Sequence, residues 1–276
     1  MLTEEEIMKR IREGRRFMHM YDDRDPDYTT DQYLNKPQPP LFKEPVSDTI
    51  ISLPRDFTAL PVDSDFLHVI NSRESHRVYT EEDMSLLELS WLLWCSQGVK
   101  DMRGKKYATL RTVPCGGARH EFELYMAVNH VEGLTRGFYH YLPQNHSIEM
   151  LSACEDLSDF IDDTMNGQTW ACKSSVIFYF DMVAYRAEWR YGIYAHRIAL
   201  VDAGYVSQNL YLACTSIGLG GCAIGSIREA KANAAFGLDG EEEFIFLAHP
   251  VGKISAKDKQ KELDFYAFVH DYDDED

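Results

Sequence analysis

The sequence predicts an α+β fold, and three observations carry that prediction. Helix-like and strand-like stretches both occur, they do not alternate in the regular order of a doubly wound parallel sheet, and no internal repeat imposes another architecture.

The elements follow in order. Thr3–Met20 has apolar residues at helical spacing (Ile7, Ile11, Phe17) with basic residues on one side. Tyr21–Pro61 is irregular, because Asp25-Pro26, Lys36-Pro37-Gln38-Pro39-Pro40 and Glu44-Pro45 all resist helix. Its Tyr28, Tyr33, Leu41, Phe42, Ile50 and Ile51 are too apolar for a free tail. Residues 1–61 are therefore expected to form a helix and an extended arm that wraps a partner subunit or lids a site.

The compact unit is expected over residues 62–270, with its first regular structure near Phe66. Thr80-Glu81-Glu82-Asp83 reads as a capping box opening a helix through Leu86, Leu89 and Leu93, which should stop near Gly98. His120–Val128 and Gly137–Tyr141 read as strands, as does the apolar run within Ser175–Val183. Ala195–Ile217 reads as a long buried helix and Ser226–Phe236 as a shorter one. Cys222-Ala223-Ile224 is strand-like, Glu243–Ala248 is another strand, and Phe265–Val269 would be the last before an acidic tail at 271–276.

With 276 residues, 45% hydrophobic, the chain can bury one large core or two small ones. The 12% of aromatic residues suit a pocket or an interface as well as a core. A net charge of −17 repels phosphate backbones, which argues against nucleic-acid binding. The six cysteines show no C-x-x-C pair and no metal-ligand spacing, so free thiols and no metal are expected. The start lacks a secretory signal and no run is long enough for a membrane span, so a soluble cytoplasmic protein without membrane association is the expectation.

Three motifs carry chemistry. In Arg73-x-Ser75-x-Arg77, an extended backbone would project two guanidiniums and a hydroxyl from one face, a set suited to phosphate. A surface cluster balanced by Glu74, Glu81 and Glu82 is the plainer reading. The stretch Gly218–Gly225 follows a helix rather than a strand, which excludes a dinucleotide-binding fingerprint. A helix C-cap accounts for Gly218, whereas Gly220, Gly221 and Gly225 suggest a backbone approached closely by something flat. Between them, Pro114-Cys115-Gly116-Gly117 gives a rigid loop before a strand, and Cys115 has no partner pattern that would make it a nucleophile.

In this order the motifs resemble the FMN-dependent nitroreductase superfamily, and most closely its SagB-type (thiazole/oxazole dehydrogenase-like) branch. Further points of similarity are Gln97-Gly98, the Pro114–His120 loop, Glu132-Gly133-Leu134 with Gly137–Tyr141, and Asp202-Ala203-Gly204 with Gln208-Asn209-Leu210. The resemblance runs from Phe66 to Lys253. It implies a central, mainly antiparallel sheet flanked by helices, in an intertwined homodimer holding FMN where the subunits meet. Arg73, Ser75 and Arg77 would then hold the phosphate and ribityl chain, and Pro114, Cys115, Gly116 and Gly117 would line the isoalloxazine. Gln208 and the backbone of Gly221, Cys222, Ala223, Ile224 and Gly225 would complete the site.

The activity implied is hydride transfer through flavin N5, from NAD(P)H or an organic donor to a small acceptor. Alternatives are azoline (thiazoline or oxazoline) dehydrogenation in peptide maturation, or a flavin-binding partner protein without turnover. Azoline-oxidising members use a Lys-Tyr pair where this chain has Arg190-Tyr191. Arginine cannot give up its proton near neutral pH, so Tyr191 would have to act alone or both would only position substrate.

Overall fold

The computed structural model describes residues 2–19, 28–255, 257 and 259–265. In chain order the first elements are helix α1 (Glu4–Met18), strand β1 (Ile50–Ser52), helices α2 (Phe66–Ser72) and α3 (Leu86–Gln97), and strands β2 (Val99–Arg103) and β3 (Ala108–Arg111). Strands β4 (Phe122–Val128), β5 (Gly137–Leu142) and β6 (Ser147–Ala153) follow, then helix α4 (Ser158–Thr164), strand β7 (Val176–Val183) and helix α5 (Ala184–Tyr191). Helix α6 (Ala195–Ser216), strand β8 (Leu219–Gly221), helix α7 (Glu229–Phe236), strand β9 (Glu243–Lys253) and helix α8 (Lys259–Phe265) complete the order.

Seven strands form one antiparallel sheet in the order β1-β6-β5-β4-β7-β9-β8, and β2 and β3 make a separate hairpin. The strands at its centre are apolar on both faces because both faces are covered. On β4, Phe122, Leu124, Met126 and Val128 join a core that includes Leu89, Leu93, Val206 and Leu210 of α3 and α6. The intervening Tyr125 and Ala127 join a second core with Ile161 of α4 and Phe236 of α7. Side chains alternate at every residue of a strand, so one apolar run serves both layers.

The second face also carries a buried polar row. Glu123, His140, Glu149 and Asp181 come from β4, β5, β6 and β7, in register as Glu123↔Asp181 and His140↔Glu149. Arg186 of α5 pairs with Glu123 at 2.5 Å, and His140 lies 2.8 Å from Glu149. The arm closes over this row: the amides of Val46 and Ser47 donate to Glu149 at 2.7 and 2.8 Å, and Lys43 pairs with Glu243. Beyond it, β1 pairs with β6. Residues 28–61 thus lie against their own chain, and the sheet recruits part of the expected arm.

Several boundaries differ from the sequence reading. The capping box of α3 is Ser85 with Glu88, not Thr80 with Asp83, because Ser85 is the residue that accepts the N3 amide. The strand after α6 is Leu219–Gly221, one step before Cys222-Ala223-Ile224, of which Ile224 makes an isolated bridge to Ala248. Phe265 ends a helix, and residues 266–276, including the rest of the expected last strand and the acidic tail, lie outside the described residues. All six cysteines are unpaired. Among the described residues no helix is long and apolar enough to cross a membrane.

Candidate functional site

The chain assembles its candidate residues into two clusters. The first joins the end of α2 to β8. Asp65 caps α2, the helix stops at Ser72, and the chain leaves extended through Arg73. Ser75 bridges Gly221, whose carbonyl accepts the His76 amide at 3.0 Å. The Arg73–Arg77 segment therefore stands beside the glycine-rich stretch. Arg73 lies 5.4 Å over the Tyr211 ring and Arg77 lies 5.9 Å over Trp170. Glu74, Glu81 and Glu82 form no ion pair with Arg73 among the described residues.

The glycines of β8 are explained by the chain itself. A Cβ on Gly220 would meet His76 at 2.6 Å, and one on Gly221 would meet His249 at 2.8 Å. The groups pressing on this backbone are the chain's own Ile254, His76 and His249 side chains. The amides of Cys222, Ala223 and Ile224 are also engaged: they donate to Pro250, to the Tyr211 hydroxyl and to Ala248 at 3.1, 2.7 and 2.8 Å. Tyr211 is therefore a site residue the motifs did not name. Its hydroxyl stands between the Ala223 amide and the Ser75 hydroxyl, 3.2 Å from the latter.

The second cluster is the loop before β4. Gly116 donates its amide to both oxygens of Asp202, at 3.1 and 2.9 Å. Gly117 is left-handed (φ 56°), and so are Ala118 and His120, which concentrates backbone strain in this loop. A Cβ on Gly117 would sit 2.2 Å from Arg190 Nε and 2.8 Å from the Tyr191 hydroxyl. Arg190 and Tyr191 therefore lie directly on the loop. Pro114, Cys115 and Ala118 line a cleft of about 500 Å³ with Lys100 and Thr112. Gln208 joins neither cluster; it is exposed on α6 beside Gly204 and Tyr205.

Beneath this loop Cys115, Glu121 and Asp202 bring their ligand atoms within 4.8 Å of one another. The Cys115 sulfur is 3.2 Å from a carboxylate oxygen of each acid and accepts the His120 amide at 3.0 Å. Burial, reinforced by the two acids, pushes the thiol far above its usual range, so it stays protonated and is no nucleophile. Two buried carboxyls this close cannot both ionise cheaply. Burial, then Asp202, pushes Glu121 up to about 7. The sign follows from proton counting: between pH 4.5 and about 7 the folded chain holds a proton that the unfolded chain releases. Stability therefore falls as pH rises through that window. Glu121→Gln should flatten this part of the profile by on the order of 2–3 kcal/mol, read as the difference from wild type in urea unfolding at several pH values. An unchanged slope would refute the proton held at Glu121.

A seven-stranded antiparallel sheet packed on one long helix, with a strained glycine loop leading into its central strand, defines the nitroreductase-like α+β fold. The chain belongs to the nitroreductase family, a family of oxidoreductases, whose profile matches residues 70–253. It is 30% identical over 185 residues to a Methanocaldococcus jannaschii protein provisionally named a nitroreductase, covering 67% of this chain and 89% of that one. Two solved structures share the fold. One, from Ralstonia eutropha and also provisionally named a nitroreductase, has a TM-score of 0.60 at 23% identity, covering 80% of this chain and 97% of that one. The other is a chain of the E. coli microcin synthetase McbBCD complex with truncated pro-MccB17 bound, with a TM-score of 0.56 at 19% identity, covering 74% and 78%.

Proposed function

We propose that this protein is an FMN-dependent oxidoreductase that works as a homodimer, takes reducing equivalents from NAD(P)H and passes them to a small organic acceptor. The observation that carries the reading is the placement of the two clusters on α6. Asp202, under the glycine loop, and Tyr211, under the Arg73–Arg77 segment, are nine positions apart. That is about two and a half turns, so they leave opposite sides of the helix. That separation favours a second copy packed along α6, whose loop would meet the first copy's arginines.

The exposed side of α6 suits such packing. Leu200, Val201 and Tyr205 are 42%, 51% and 44% exposed, around a glycine, Gly204, whose added Cβ would meet nothing within 4 Å. Gly204→Arg is accordingly compatible with the single chain but blocks a close neighbour. It should give a monomer by light scattering, with an unchanged circular dichroism spectrum and reduced flavin retention. A persisting dimer would rule out α6 as the interface.

The donor set fits FMN. Arg73 and Arg77 supply guanidiniums for a phosphate, and Ser75 a hydroxyl for the ribityl chain. Pro114 and Cys115, which line the cleft, would border a flat ring, while Gly116 and Gly117 let Ile198, Asp202, Arg190 and Tyr191 pack closely behind the loop. Ala223 can offer its amide to a ligand if the Tyr211 hydroxyl gives way. When bound, the flavin supplies the two-electron chemistry. The protein orients substrate through Arg190 and Tyr191 and holds a proton at Glu121 below the loop. The SagB-type resemblance and azoline oxidation form the second reading; Arg190 disfavours it, because a guanidinium cannot serve as the base.

Anaerobic titration of the FMN-loaded protein with NADH and with NADPH tests the proposal. Bleaching of the visible flavin band by either nicotinamide is expected. A flavin that stays oxidised with both, while dithionite reduces it, would instead support a binding protein without turnover.

A further inference from the structure

Two arginines stand at the glycine loop without an ion pair among the described residues. Arg119, 3% exposed, spends Nε on the Gly117 carbonyl at 3.0 Å and an amino group on the Tyr107 carbonyl at 2.9 Å. It lies over the rings of Tyr107 and Trp189, at 4.8 and 5.3 Å. Arg190, half-buried, donates one amino group to the Tyr107 hydroxyl at 3.0 Å and to Gln32 at 3.3 Å. Among the described residues no carboxylate pairs with either. The acids on neighbouring elements are already committed: Glu188 to His196, Asp31 to Lys36 and Tyr185, and Asp202 under the loop to the Gly116 amide, with Glu121 beside it at the Cys115 thiol.

This is unusual placement in a chain with 45 acidic and 28 basic residues. A buried cation ordinarily needs a counterion, and here two repel each other beside the loop. The missing negative charge is most simply carried by a ligand. Only one face of one group can receive it, since Arg119 is enclosed and one amino group of Arg190 is already spent. Besides Tyr107 and Gln32, Arg190 engages the Tyr191 hydroxyl, so an anion would meet the remaining part of the guanidinium together with that hydroxyl at Gly117. One planar carboxylate suits that part, whereas a phosphate calls for more donors.

We infer that Arg190, held by Gln32 of the arm and Tyr107 of the β2–β3 hairpin, is a specificity residue that selects acceptors bearing a carboxylate. This rests on the flavin reading, whose test is separate. Gln32 lies outside the segment matched by the family, so the preference would be a property this chain gains from its own arm.

The test compares 4-nitrobenzoate with the neutral 4-nitrobenzamide on the FMN-loaded protein. Wild type should favour the carboxylate about tenfold or more in kcat/KM, mainly through KM, which is the scale of one charge-assisted hydrogen bond. Added salt should erode that preference. Arg190→Gln should collapse the ratio, and Arg190→Lys, which keeps the charge but loses the fork, should restore part of it. Calorimetric titration of 4-nitrobenzoate into the oxidised protein should show the same order of affinities without turnover.

A wild-type protein indifferent to the carboxylate, a preference insensitive to salt, or one that survives in Arg190→Gln would each overturn the inference. So would an Arg190→Gln protein whose only defect is lost FMN, since the guanidinium would then serve the cofactor. If Arg190→Gln does not fold, the salt series on wild type and the Lys variant decide. If wild type takes up no FMN, the flavin reading fails, and the titration repeated on the apoprotein still decides the anion subsite.

Discussion

Replacing Arg186 with alanine should lower the free energy of unfolding by about 3–5 kcal/mol, the cost of leaving a buried carboxylate without its partner. Arg186 is 3% exposed and Glu123 1%, and their contact at 2.5 Å is the tightest link of the polar row on the sheet. The same guanidinium donates to the carbonyls of Pro40 and His120, at 3.1 Å each, so it ties arm, loop and sheet together. Burial alone would raise the Glu123 pKa, but Arg186 and then His140 more than offset it and hold the carboxyl well below the usual range.

A depressed carboxylate stabilises the fold above its unfolded pKa of about 4.3 and loses that contribution as pH falls toward the folded value. The penalty in Arg186→Ala should therefore be largest near neutral pH and shrink in acid, where Glu123 can protonate. Urea unfolding at two pH values measures both effects. The double variant Arg186→Met with Glu123→Leu should cost less than Arg186→Ala alone, because it buries no orphaned charge. A loss below about 1 kcal/mol in Arg186→Ala at neutral pH would place the row among the surface-like ion pairs that contribute little.

That row also marks the limit of what was legible in the sequence. The α+β class, the strands around Phe122, Gly137 and Val176, and the long helix from Ala195 could be read because their apolar spacing exceeds what a loop would carry. Glu123, His140, Glu149 and Asp181 give no such signal. Each is one charged residue inside a strand, and only the register of four strands makes them neighbours. The arm failed to declare itself for the same reason. Its prolines exclude helix, but nothing local says that Ile50–Ser52 will pair with β6 or that Lys43 will reach Glu243.

At the site, spacing revealed what is local and concealed what is not. Arg73, Ser75 and Arg77 could be grouped from alternation, and Arg190 and Tyr191 from the family likeness. Tyr211 and Glu121 were missed, because a tyrosine on a mixed helix face and an acid beside a strand are ordinary until the fold puts Ser75 against one and Asp202 against the other. Asp202 alone offered a clue, as a charge within the apolar side of α6 that could be buried only with partners.

Arg73→Ala and Arg77→Ala should each weaken FMN binding by roughly ten- to a hundredfold, the equivalent of one charge-assisted phosphate contact at about 1.5–3 kcal/mol. Arg73 leaves the helix at its end and is held over Tyr211, the residue whose hydroxyl Ser75 also meets, while Arg77 lies over Trp170. The loss should appear as a lower flavin-to-protein ratio after purification and a higher Kd in flavin fluorescence quenching. Arg73→Lys, which keeps charge without the planar fork, should fall between wild type and alanine. Riboflavin, which lacks the phosphate, separates this role from a structural one: its weaker binding should be nearly the same in wild type and both alanine variants. A structural defect would lower the affinity for riboflavin and FMN alike, and variants that purify with full occupancy would show that the phosphate is held elsewhere.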